Sequence, residues 1–160
     1  MPLNSTRNDL DKDTRKKVVA LLGARLADAI DMTSQAKQAH WNVKGPSFIA
    51  LHELFDSIYG DLAGYVDLLA ERAVQLGAIV EGTVRSAATA SSLPEYPLRI
   101  TAGDKHVAAM ADALAAFGRH VRQAIGTADE LGDADTADIF TEISRGVDKW
   151  LWMVEAHLQN

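Results

Sequence analysis

The chain has 160 residues, 48% hydrophobic and 24% charged, enough for one folded domain and too apolar for a disordered one. It holds no cysteine, which excludes disulfides, cysteine-ligated zinc, iron–sulfur clusters and thiol nucleophiles. A formal charge of -6 argues against a whole-surface attraction to nucleic acid, and no run approaches the roughly 20 apolar residues that span a bilayer.

The polar start Met1-Pro2-Leu3-Asn4-Ser5 lacks the apolar core of a signal peptide, so a soluble, cytoplasmic protein without a membrane partner is expected. Residues 1–12 read as a flexible tail and 13–160 as one all-α domain, since aromatics are only 6% and leucine, alanine and valine dominate. A first helix runs from a cap at Asp13 or Thr14 to about Val43. Leu22, Leu26, Ala29, Thr33, Ala36 and His40 share its inward face at three- and four-residue steps. Gly45-Pro46 stops it, and a second helix runs from about Ser47 to Leu76, where Gly77 supplies a left-handed stop. Residues 78–102 carry Pro94, Pro97 and the small-residue run 86–92, and read as a crossover with room for a short helical turn. A third helix spans about Gly103 to Ile125 and a fourth about Asp133 to Leu158, separated by a loop carrying Gly126 and Gly132.

Short links make antiparallel neighbours, and one long link lets the second and third helices run the same way. That is the connectivity of a ferritin-like four-helix bundle, although an up-and-down bundle with a decorated loop fits the same lengths. On a helical wheel the second helix has an apolar stripe through Leu51, Phe55, Ile58, Leu62, Val66, Leu69 and Ala73. His52, Asp56, Asp67 and Glu71 fall beside it at roughly 0°, 40°, 60° and 100°, residue types that bind hard or borderline metals. A solvated face would also tolerate four polar residues. However, His52/Glu71 and Asp56/Asp67 share one centre, between residues 61 and 62, with Gly60 and Ala63 beside it.

Asp56 and Asp67 lie about 16 Å apart along the axis, so one helix cannot close a site. A second copy, antiparallel across a two-fold axis, brings both pairs together and generates two sites roughly 22 Å apart. His40 lies where a partner's ion is within reach. A di-iron centre inside one bundle needs Glu-x-x-His pairs; this chain has none, Glu155 and His157 being one residue too close. His106, His120 and His157 have no partner at ligand spacing and read as packing or surface residues, as do Trp150 and Trp152.

Three blocks carry a specific likeness: Gln38-Ala39-His40-Trp41-Asn42-Val43-Lys44-Gly45, Phe48-Ile49-Ala50-Leu51-His52-Glu53, and Ala70-Glu71-Arg72-Ala73-Val74-Gln75-Leu76-Gly77. They resemble Dps, the miniferritin family of DNA-binding proteins from starved cells, and the likeness extends over about residues 13 to 158, through Asp135-Thr136-Ala137-Asp138 and Asp148-Lys149-Trp150-Leu151-Trp152. The resemblance implies a hollow homo-dodecamer that oxidises Fe(II), with hydrogen peroxide preferred to oxygen, stores ferric mineral and protects DNA. Carried over residue by residue, His40, His52 and Asp56 of one chain face Asp67 and Glu71 of its mate. Zinc or manganese would compete with iron for such a ligand set.

Trp41 resembles the family's site-adjacent tryptophan, a sink for stray oxidising equivalents; helix-end packing explains it equally well. Asp133, Asp135 and Asp138 read first as a helix N-terminal cap, and the resemblance adds a three-fold iron-entry pore, with Asp129 and Glu130 as a wider funnel.

Coating DNA needs several accessible cations. The first 17 residues hold Arg7, Lys12, Arg15, Lys16 and Lys17 against Asp9, Asp11 and Asp13, and twelve copies of the chain would carry about -72. Weak or absent DNA binding is expected, and a nucleoid location only if DNA is bound. Plasmid should run unretarded in a gel at moderate salt; tight retardation there would overturn this expectation.

Overall fold

Helix formation starts where Asp11 caps it: its carboxylate accepts the amides of Asp13 and Thr14 at 2.9 and 3.0 Å and opens α1 (Lys12–Asn42). In this computed structural model, which describes residues 3–159, α2 (Phe48–Gln75), α3 (Val84–Ala90), α4 (Gly103–Glu130) and α5 (Ala134–Glu155) follow. The fold is an all-α bundle of four long helices, with α3 as the helical turn inside the crossover. Among the described residues no helix is long and apolar enough to cross a membrane.

Two contacts and one tight turn give the helix directions. Lys44, just past α1, donates its amide to Thr101 O at 2.8 Å, so α4 begins where α1 ends. Farther along, His120 of α4 meets Asp28 of α1, and the two helices are therefore antiparallel. Because the tight turn at Gly45 makes α2 antiparallel to α1 as well, α2 and α4 run the same way, which selects the ferritin-like connectivity over the up-and-down bundle.

The core takes the apolar stripe of each helix: Leu22, Met32, Phe55, Ile58, Leu62, Met110, Phe117, Phe140 and Ile143 are all fully buried. Each such side chain contributes roughly 1.5–3 kcal/mol by leaving water. Two glycines are needed for close approach. A Cβ on Gly146 would lie 1.8 Å from the Tyr65 hydroxyl oxygen, so α5 passes Tyr65 of α2 only without one. Gly77, at φ +95°, turns the chain out of α2 and leaves room for Asn4, whose amide donates to Gly77 O at 2.8 Å. Residues 3–11, expected as a flexible tail, contain no helix and cross this end of α2.

The third long helix extends past its expected end at Ile125. One exposed glycine, Gly126, costs only about 1 kcal/mol in helix propensity, and the buried Ala128 beyond it repays continued packing. Gly132, at φ +78°, makes the turn instead. The last helix ends at Glu155, three residues before the expected Leu158.

Polar contacts fasten the crossover. Fully buried Asp28 accepts the Ser92 amide at 2.7 Å and faces Arg25 at 3.0 Å and His120 at 3.3 Å. Gln35 donates to Pro94 O at 3.0 Å. His106, 1% exposed, accepts the Tyr96 hydroxyl on Nδ1 at 2.8 Å and donates Nε2–H to Ile100 O at 3.1 Å. This pattern needs a neutral ring, and burial lowers its pKa from the ordinary 6.5. The folded chain thus binds this proton less readily than the unfolded chain, so His106 makes stability fall as pH drops below about 6.5. Thermal melting at pH 7.5 and 5.5 should show a smaller acid-induced loss for His106→Gln than for the parent; equal losses would count against this.

Candidate metal centre

His40 lies in the last turn of α1 and His52 near the start of α2, and the tight turn between them stacks their rings 3.7 Å apart at 23°. His40 Nδ1 lies 2.8 Å from His52 O, and His52 Nδ1 lies 2.8 Å from His40 O. A carbonyl only accepts, so each Nδ1 carries a proton and donates. In the neutral ring this is the tautomer a metal-ligating imidazole needs, with the Nε2 lone pair free and the orientation fixed by the backbone. The exchange also satisfies a carbonyl left unpaired at the end of α1.

Asp56 lies one turn beyond His52, its Oδ1 4.0 Å from His40 Nδ1 and its side chain half exposed. Lys37 of α1 donates to the same carboxylate oxygen and sits 4.4 Å over the Tyr59 ring. That hydrogen bond holds Asp56 below the ordinary carboxylate pKa, and the positive charge of Lys37 acts in the same sense. Asp67 and Glu71 are exposed farther along α2. The chain therefore stacks His40 on His52 with Asp56 beside His40, short of a converged three-ligand cluster, and leaves Asp67 and Glu71 apart. Among the described residues, no three His, Cys, Asp or Glu side chains converge to hold an ion within one chain.

The same face of α2 carries features that side-chain chemistry alone does not explain. Ile49 and Val74 are 60% and 56% exposed, and this pair too is centred between residues 61 and 62. Gly60 and Gly64 face open space, so a backbone can approach there. Gly64 is related to Tyr59 by that centre. Trp41, 68% exposed, edges an open groove of about 1290 Å³ between α1 and the crossover, which Lys37 and Tyr59 also line.

The three aspartates at the start of α5 separate. Asp133 is 2% exposed: it caps Thr136 N at 3.1 Å and accepts Arg72 at 2.7 Å, while Arg72 Nε donates to Thr136 Oγ1 at 2.9 Å. Its carboxylate thus belongs to the packing of α5 on α2, the cap reading from the sequence. Asp135 and Asp138 are exposed. Arg72 is the residue sequence reasoning missed; an arginine in the last turn of an amphipathic helix gives no local sign of a partner 61 positions away.

A ferritin-like domain family matches residues 19–160. The chain is 42% identical over 159 residues to a DNA protection during starvation protein from Agrobacterium fabrum, covering 99% of this chain and 98% of that one. Among solved structures, a Dps from Mycobacterium smegmatis superposes with a TM-score of 0.93 at 28% identity, covering 98% of this chain and 96% of that one. A Dps from Vibrio cholerae O1, described as a ferritin-like diiron-carboxylate protein, gives 0.90 at 26% identity with 99% of each chain covered.

Proposed function

The chain belongs to the ferritin-like family, within its Dps miniferritins, and from that premise we propose that it oxidises Fe(II) at sites shared between two-fold-related copies and stores the ferric product inside a dodecamer. The observation that carries this reading is the match of two half-sites on one helix face. One half offers two imidazoles with free Nε2 atoms and Asp56; the other offers Asp67 and Glu71. The exposed Ile49 and Val74 share their centre and the open backbone at Gly60 lies beside it, so an antiparallel mate brings chemistry, close approach and apolar burial into one register.

In this reading Fe(II) is the substrate. Anionic carboxylate oxygens and a few imidazoles bind it weakly enough to exchange and stabilise Fe(III) more, which eases loss of an electron. Two ferrous ions supply one electron each to one hydrogen peroxide; its O–O bond breaks, two protons are taken up, and two waters leave. Pairing the electrons avoids hydroxyl radical near DNA. Trp41, beside His40, stands ready as a sink for a stray oxidising equivalent. Zinc and manganese compete for the same ligands. The outward Asp135 and Asp138, repeated around a three-fold axis, draw ferrous ions inward.

The protein works in the cytoplasm and holds DNA weakly or not at all. Consistent with this, two of the five basic groups of the N-terminal segment are engaged within the chain: Lys16 pairs with Asp13 at 3.2 Å, and Arg15 donates to the Leu10 and Leu76 carbonyls. The function is tested by mixing anaerobic Fe(II) with peroxide and following ferric absorbance. Saturable oxidation well above the protein-free rate is expected; a rate no greater than that of buffer would leave a helical assembly without chemistry.

A further inference from the structure

We propose that residues 95–100 of the crossover form a flap that mild acid releases from the bundle, with the His106 ring as its latch. The chain is fastened on either side of this segment. Before it, Asp28 accepts the Ser92 amide at 2.7 Å, Asp31 accepts the Ser91 hydroxyl at 2.6 Å, and Gln35 donates to Pro94 O. After it, Thr101 O accepts the Lys44 amide at 2.8 Å. Between these anchors, among the described residues, the only hydrogen bonds from the segment to the bundle both end on one ring: Tyr96 donates to His106 Nδ1, and His106 Nε2–H donates to Ile100 O. Glu95, Pro97, Leu98 and Arg99 are exposed, and the segment forms one wall of the groove that Trp41 edges.

The latch holds only while the ring is neutral. Against it stand Phe55 of α2, Tyr96, and the carbonyls of Ile100 and Asn42, and none of these is charged. A proton on Nδ1 would reverse the Tyr96 bond and strand the phenolic hydrogen where only 8% of the residue reaches water, beside an uncompensated positive charge. Swinging the flap outward hydrates the ring instead. Burial outweighs the two carbonyls and holds the closed ring below its ordinary pKa, so acid favours the open form. A ring freed to its ordinary 6.5 is about 10% protonated at pH 7.5 and about 90% at pH 5.5, which multiplies the open population about tenfold. The Ser92 anchor does not share this response: His120 of α4 lies 3.3 Å from Asp28, beside Arg25, and a proton there strengthens its contact with the carboxylate. Acid thereby opens the groove beside Trp41 while the crossover stays attached at Ser92.

The chain has no cysteine, so single thiols can report on the flap in the assembled protein. Ile100→Cys places a thiol on the half-buried side packed against the core, and Leu98→Cys one at a position already 71% exposed. The labelling rate at 100 divided by that at 98, with a disulfide reagent active in acid, cancels the thiol's own dependence on pH. This ratio should rise about tenfold from pH 7.5 to 5.5. With His106→Gln, which keeps an acceptor and a donor and has no proton to gain, it should not change with pH. Tyr96→Phe removes one of the two bonds and should raise the ratio already at pH 7.5. A parental ratio indifferent to pH, or one that rises equally in the glutamine variant or only as the assembly dissociates, would overturn the proposal.

Discussion

Replacing Asp67 and Glu71 together by alanine should lower the rate of Fe(II) oxidation by peroxide by about 100-fold or more while the helix content and assembly size stay unchanged. The size of the effect follows from the chemistry. Changing groups that merely support a ligand costs about 10- to 100-fold in affinity or activity, and here the ligands themselves are lost. The remaining half-site keeps two imidazoles and one carboxylate already paired with Lys37, too little charge to stabilise a ferric ion. The fold should tolerate the change because both side chains are exposed and alanine is the best helix former. Stopped-flow ferric absorbance measures the loss, and a double variant as fast as the parent would assign the chemistry elsewhere.

The second large effect concerns stability. Arg72→Leu should cost about 3–5 kcal/mol, because it leaves the buried Asp133 carboxylate without its counter-charge. For a chain of this size that corresponds to a fall of roughly 6–20 °C in melting temperature. Thr136 still donates to the carboxylate at 2.6 Å, and the cap survives in part, but neither supplies a charge. Adding Asp133→Asn to the leucine variant removes the stranded charge and keeps a capping side chain, so it should recover part of the loss. Urea midpoints of the parent and both variants, at one protein concentration, decide this. A leucine variant within about 0.5 kcal/mol of the parent would mean that water compensates Asp133 fully.

The bundle was legible because its punctuation is local. Gly45-Pro46 and Gly77 break helices by backbone geometry that any reader of sequence can apply, and the long stretch between Gly77 and Gly103 permits the parallel run of α2 and α4. Gly126 shows the limit of that punctuation: a glycine stops a helix only when nothing beyond it is worth packing, and Ala128 is fully buried.

The four ligand candidates on α2 were legible through helical period. The tautomers of His40 and His52 were not, since they depend on carbonyls twelve residues away across a turn. Nor was the fate of Asp133. Sequence placed it at a helix start beside Asp135, and only the packing of α5 against Arg72 turns one carboxylate inward and leaves the other in water. Ile49 and Val74 lie by position on the same face of α2 as the ligand candidates, but their exposure is a property of the folded chain.

The central claim is that two chains build one centre, and complementation tests it most directly. One variant carries His40→Ala, His52→Ala and Asp56→Ala; the other carries Asp67→Ala and Glu71→Ala. Each should be inactive alone. In shells co-assembled from equal amounts, half of the two-fold pairs are mixed, and each mixed pair restores one of its two sites, so about a quarter of the parental rate should return. Mixed shells, verified by mass spectrometry, that stay as inactive as either variant would contradict the shared centre.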